Sequence, residues 1–205
     1  NEVATWFDTL LHAGQKSGVL KKSNGRTELL ANASIMSVRD ATTINDIASG
    51  HKRTAITFTK EPFWYGSLKT VSFTSVTSYY LDTPATRNEG NARAVKFVKL
   101  TITNNIVGST SSPFVINISP VSFGSPCALG VTANLTAPVV IDAGANTVRA
   151  NAVNAYEHVL RASTQIALLH LEGRYLSNGV LRSNNSTIMF SAPATGALEF
   201  RDTWI

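Results

Sequence analysis

Apolar and polar residues alternate through much of the first half of the chain. In RTAITFTK (53–60), Ile56 and Phe58 fall on one side of an extended backbone and Thr57 and Thr59 on the other. LKTVSFTSVTSYY (68–80) repeats this, with Val71 and Phe73 opposite Thr70, Ser72 and Thr74. A period of two is the signature of a strand with one buried face. ARAVKFVKLTIT (92–103), PFVINIS (113–119) and GVTANLTAPVVI (130–141) predict further strands. TELLANASIMSV (27–38) also reads as strand, although its Leu and Ala suit a helix as well. The joins carry Pro62 and Gly66, Pro84 and Gly90, and Gly108 in a hairpin-like NNIVGSTSSP. Strands that follow one another without intervening helices predict an antiparallel sheet.

The period changes at NTVRANAVNAYEHVLRASTQIALLHLEG (146–173). Val148, Ala152, Ala155, Val159, Ala162, Ile166 and Leu169 are spaced alternately by four and three, which predicts one amphipathic helix. Asp142 or Asn146 supplies its N-cap and Gly173 its stop. At about 1.5 Å per residue the rod is roughly 40 Å long, more than a sheet of ordinary strands, about 20 Å across, can cover. The helix therefore breaks near Ser163 and Thr164, or a second subunit covers its overhang. Val3, Trp6, Phe7, Leu10 and Leu11 predict a short helix over Glu2–Ala13, ended by Gly14. The expected class is α+β: an antiparallel β-sheet followed by a long helix in the C-terminal half, with a short N-terminal helix. A viral jelly roll with a helical insertion is the alternative. No repeat or linker composition divides the chain, so a single domain over 1–205 is expected, with a helical arm (1–26) and a C-terminal extension (174–205). The final Trp204 and Ile205 are expected to dock on the chain's own sheet or on a neighbour.

Composition adds a reason to expect assembly. Hydrophobic residues make up 43% of 205 residues and charged residues 15%, below the roughly 25% of an average globular chain. A surface of Asn, Ser and Thr resists association less well than one of Lys and Glu. The net charge of +5 favours an anionic partner, nucleic acid before membrane. No run of about 18 apolar residues suggests a membrane span, and the N-terminal NEVATWFDTLLHAG lacks the basic start of a signal peptide. The sequons at Asn32, Asn117, Asn134, Asn184 and Asn185 read as a consequence of composition.

Catalytic chemistry finds little purchase. The single cysteine, Cys127, permits no intrachain disulfide and reads as a small buried hydrophobe. His12, His51, His158 and His170 stand at no metal-ligand spacing. No nucleophile elbow, phosphate-binding loop or dinucleotide fingerprint is present. The 13 acidic residues are scattered, several of them in loops such as DATTIND (40–46) and DTPATRNE (82–89). The expectation is a protein without catalysis, metal or cofactor.

The strand faces instead suggest binding. Val98, Leu100 and Ile102 share one side of their strand; Arg93, Lys99, Thr101 and Thr103 share the other along with Val95 and Phe97, and Lys96 breaks the scheme. Asn117 and Ser119 lie opposite Phe114, Ile116 and Ile118. One sheet face is then apolar and the other rich in Thr and Asn with a few cations, which suits phosphates and unpaired bases.

The order of elements over 92–173, strand, hairpin loop, strand, strand, then helix, resembles the back half of the single-stranded RNA bacteriophage coat proteins. This resemblance implies a sheet that binds RNA inside a shell and helices that interlock across a dimer. It covers about 80 residues and lacks the family's short C-terminus. On it rests the expected function: a self-assembling capsid protein of an RNA virus or phage, forming an icosahedral shell in the virion after assembly in the host cytoplasm. Its partners would be itself and single-stranded RNA, not a membrane. Arg53, Arg93 and Lys99 would contact phosphate, and Thr57, Thr59, Thr101 and Asn117 would add hydrogen bonds. Val148, Ala152, Ala155, Val159 and Ala162 would serve the dimer. A secreted β-rich adhesin or binding module is the alternative, and a hydrolase using scattered carboxylates a third reading.

Overall fold

A computed structural model describes residues 17–23, 28–51, 53–120, 127–161, 167–175, 180–181 and 186–205. The chain divides into two compact units, Asn1–Trp64 and Tyr65–Ile205. Each is described by itself.

The first unit is a β-meander. Strand β1 (Ser17–Ser23) pairs antiparallel with β2 (Glu28–Asp40), in register from Ser17↔Ser34 to Ser23↔Glu28. β2 pairs antiparallel with β3 (Thr54–Lys60), with a register shift between Ile35 and Ser37. The link between β2 and β3 carries a five-residue helix, α1 (Ile44–Ala48). The sequence dictates its start: the Thr43 hydroxyl accepts from the Asp46 N–H, and the Asp46 carboxylate accepts from the Thr43 N–H. These bonds satisfy donors that a helix start would otherwise leave open.

The second unit is built on two long strands, β4 (Trp64–Leu81), which opens at the boundary, and β12 (Ser186–Trp204). β12 changes partner along its length. Residues 186–190 pair with β6 (Phe114–Pro120), and residues 196–199 pair with β5 (Lys99–Ile102). One arm runs from β12 through β6 and β7 (Cys127–Val131) to β11 (Val159–Arg161). The other runs β4-β12-β5-β8-β9-β10, with β8 Val139–Asp142, β9 Thr147–Ala150 and β10 Val153–Asn154. The switch between partners is pinned by Asn104, whose side chain accepts from the Thr195 N–H and donates to the Pro193 carbonyl. At Gly196 the β5 backbone comes so close that a Cβ would stand 2.0 Å from the Thr101 oxygen. The close approach excludes any side chain there.

One core fills the second unit. Leu100, Ile102, Val139, Ile141 and Val148 enter from one arm, and Ile116, Ile118, Leu129 and Val131 from the other, all at 0–1% exposure. Burial alternates along β5, β7 and β8, so the period of two read from the sequence is the period that packs. The expected strands in 27–38, 53–60 and 68–80 are present as β2, β3 and β4, and 113–119 is β6. Two expectations are too long: 92–103 contributes only β5, and 130–141 is divided between the ends of β7 and the start of β8.

The expected α+β class is overturned. Segment 146–173 contains no long helix among the described residues; it forms β9, β10, a 3₁₀ turn at Tyr156–His158 and β11. Helix is otherwise confined, among the described residues, to α1, so the jelly roll with a helical insertion fails as well. The spacing of four and three came from separate short elements. Val148 is buried on β9, Ala155 is buried ahead of the 3₁₀ turn, and Val159 packs at the start of β11. Asn151 and Ala152 take positive φ, 45° and 67°, and reverse the chain between β9 and β10. This is the backbone of a tight hairpin turn. The strand-then-helix order behind the resemblance to RNA phage coats is therefore absent. The expected Glu2–Ala13 helix lies outside the described residues. Within the expected C-terminal extension (174–205), residues 186–204 form the strand shared by both arms.

Candidate functional site

The residues expected to hold RNA are divided between the two units. Arg53, Thr57 and Thr59 belong to the first unit; Arg93, Lys99, Thr101 and Asn117 belong to the second. Within the second, Lys99 and Thr101 sit on β5 and Asn117 on β6, and these strands pair with opposite ends of β12. Each expected phosphate contact already has a carboxylate. Arg53 Nε lies 2.7 Å from Asp46, Arg93 Nη2 lies 2.5 Å from Glu172, and Lys99 pairs with Glu199. Thr57 and Thr59 are exposed on β3 and Thr101 is half-buried. The Asn117 Oδ1 is buried without a hydrogen-bond partner.

The residues expected at a dimer seam are mostly used within the chain. Val148 and Ala155 are buried in the core of the second unit, and Val159 packs against it. Ala152 is exposed in the β9–β10 turn. Ala162 lies outside the described residues.

Two polar clusters fasten the second unit. Lys69 on β4 donates to Asp202 on β12 at 2.7 Å, and to the carbonyls of Pro84 and Arg87. Asp202 also accepts from the Glu89 N–H, and Glu89 pairs with Arg87 and Arg174. Burial pushes the Asp202 carboxyl above its usual value, while its bonds from Lys69 and Glu89 pull it back. Buried Asn88 uses all of its side-chain capacity: it donates to Ala92 and Leu171 and accepts from Gly90 and Thr203. These bonds tie the 82–92 loop to β4, β12 and the 171–175 segment.

The second cluster holds Cys127, His170, Arg93 and Glu172. Burial pushes the Cys127 thiol up to about 11, and its Sγ donates to the Leu168 carbonyl at 3.5 Å. A thiol so poised is not a nucleophile at neutral pH. Burial, with the Arg93 charge, lowers the His170 value, against the opposing pull of Glu172. Among the described residues, no group of three or more His, Cys, Asp or Glu side chains is placed to hold a metal ion. No helix there is long and apolar enough to cross a membrane.

The first unit presents a different surface. Ala31 and Ala33 are buried in it, while Ile44, Ile47, Met36 and Val19 are 84%, 70%, 65% and 57% exposed. Ile44 and Ile47 are three apart on α1 and so share a side of it. The sequence reading passed over this surface because DATTIND looked like an acidic loop. The signal was present, since Thr43 and Asp46 stand at the Thr-x-x-Asp spacing of a helix start.

No protein-family model matches the chain, and no curated protein matches it in sequence. The fold has a solved counterpart. It is similar to the Dit protein of phage SPP1, described as a paradigm of the hub adsorption apparatus in phages that infect Gram-positive bacteria. The two match over 99% of this chain and 72% of that one, at a TM-score of 0.58 and 9% identity. At that identity the likeness is one of fold.

Proposed function

We propose that this chain is a structural component of a phage virion, of the adsorption-hub kind, and that it works by self-association. The observation that carries the reading is the likeness to SPP1 Dit over nearly the whole chain. Two features support it. The first unit leaves Ile44, Ile47 and Met36 in water, as a surface kept for another subunit would. The cations expected to contact phosphate each lie against a carboxylate, of Asp46, Glu172 or Glu199, which leaves less free charge for a nucleic acid to meet.

Expression of the chain, followed by native mass spectrometry and negative-stain electron microscopy, tests this. The expected product is a nucleic-acid-free homo-oligomer with closed cyclic symmetry, the usual way for one chain to assemble. A monomer persisting at high micromolar concentration overturns self-association. Closed shells with the absorbance ratio of nucleic acid overturn the hub reading in favour of a coat.

A further inference from the structure

The β9–β10 hairpin carries an open groove of about 690 Å³ lined by Asn146, Thr147, Arg149, Ala152, Asn154 and Tyr156. Its construction follows from strand alternation. Val148 is fully buried, so Thr147 and Arg149 on either side of it point outward together. Asn154 stands directly opposite Arg149 in the β9–β10 register, which brings the two side chains side by side. Tyr156 is half-buried and packs on the core, so one part of the ring is held while another lines the groove. Asn146, Asn151 and Ala152 all have positive φ, at 52°, 45° and 67°. Asn151 and Ala152 take these angles as the central pair of the hairpin turn, so the turn fixes this end of the groove. The Asn151 N–H is bonded to the Pro138 carbonyl at 2.9 Å, which ties the turn to the start of the neighbouring strand β8.

The chemistry of the lining is selective. Arg53, Arg87, Arg93 and Arg174 are each paired with a carboxylate; among the described residues, Arg149 is not. An unpaired guanidinium offers its planar fork to a carboxylate or phosphate. Asn154 spends its oxygen on the Tyr156 N–H, at 3.2 Å, which leaves its amide nitrogen to donate outward. Two amides, a threonine hydroxyl and an anchored aromatic ring match a pyranose, whose hydroxyls pair with amides and whose C–H face lies on a ring. A peptide is a poorer match, because the edge strand β10 is two residues long and offers little backbone for strand addition. A nucleic acid strand would find one cation where binding of that kind uses several.

We infer that this groove binds a saccharide carrying an anionic substituent, its ring against Tyr156 and its charged group on Arg149. This goes beyond the hub reading and does not depend on it, since the groove belongs to one chain. The test is calorimetric titration of the full chain with four probes: a hyaluronan tetrasaccharide, glucose 6-phosphate, maltotetraose and inorganic phosphate. The two acidic sugars separate a carboxylate source from a phosphate source. At least one of them is expected to bind at least tenfold more tightly than both maltotetraose and inorganic phosphate. Arg149→Gln, at an exposed position, should remove that advantage. Tyr156→Leu should weaken the acidic sugar at least fivefold and leave inorganic phosphate unchanged, with a melting curve to confirm folding. Equal binding of phosphate and acidic sugar, insensitivity to Arg149→Gln, or no heat from either acidic sugar overturns the proposal.

Discussion

Lys69 and Asp202 illustrate how a low-charge chain commits the charges it has. Their side chains are 14% and 11% exposed, and the pair holds β4 to β12 while Lys69 also satisfies two loop carbonyls. Removing one member strands the other. Lys69→Met is expected to cost about 3–5 kcal/mol, the usual penalty for leaving a buried charge unpaired. The double variant Lys69→Met, Asp202→Leu should recover a large part of it. Urea denaturation of both proteins decides the matter; a single variant within about 1 kcal/mol of the parent would mean that the pair is not desolvated. His170 gives a pH dependence. Its folded value lies below its ordinary 6.5 because burial opposes the charge. The unfolded chain therefore binds the proton more readily than the fold does. Its contribution to stability is complete above pH 6.5 and is lost as pH falls from 6.5 through the folded value. Asp202 acts with the opposite sign: its folded value lies above 3.8, so between that value and 3.8 acidification favours the fold. Urea midpoints measured from pH 7.5 to 5 should fall, and His170→Gln should flatten the slope. An unchanged slope in the variant would assign the effect to other groups.

The elements show where sequence periodicity informs and where it misleads. β4 and β6 were legible because each is long enough, or alternates strictly enough, for a period of two to stand out. Segment 146–173 was not. A hairpin of four-residue and two-residue strands contains too few repeats to show a period, and its inward Val148, Ala155 and Val159 happen to fall seven and four apart, a spacing that a helix face also gives. The turn signal was also muted. Asn-Gly marks such a hairpin, but this chain has Asn151-Ala152, and Ala reads as helix. The groove was hidden for the same reason, since on the imagined helix Ala152 lay on a seam facing a partner. The conformation of Ala152 makes a prediction at this scale. A non-glycine residue in the left-handed region costs roughly 1–2 kcal/mol, so Ala152→Gly should stabilise the protein by up to about 1 kcal/mol and raise its melting temperature by a few degrees. A fall in melting temperature would mean that the methyl group makes contacts worth more than the strain. The capping box of α1 allows a parallel test. Thr43→Ala should cost about 1 kcal/mol, and the loss should be local, seen as faster hydrogen exchange in 44–50 without change in the strands of the second unit.

At the scale of the whole molecule, the proposed self-association rests most directly on the exposed isoleucines of the first unit, Ile44 and Ile47. Burying an isoleucine side chain is worth about 1.5–3 kcal/mol. If Ile44 and Ile47, at 84% and 70% exposure, enter an interface, replacing both with Ser removes about 3 kcal/mol or more per contact. Since each 1.4 kcal/mol is a factor of ten, the dissociation constant should rise about 100-fold or more. The folded chain itself should be nearly indifferent, because surface substitutions that touch no buried feature stay within about 0.5 kcal/mol. The expected result is therefore a split: sedimentation velocity shows the Ile44→Ser, Ile47→Ser protein as a smaller species at concentrations where the parent is assembled, while the two share a melting curve once both are diluted to the monomer. An oligomer that survives the double substitution would place the subunit contact elsewhere. A lowered monomer melting temperature would instead make α1 part of the chain's own packing.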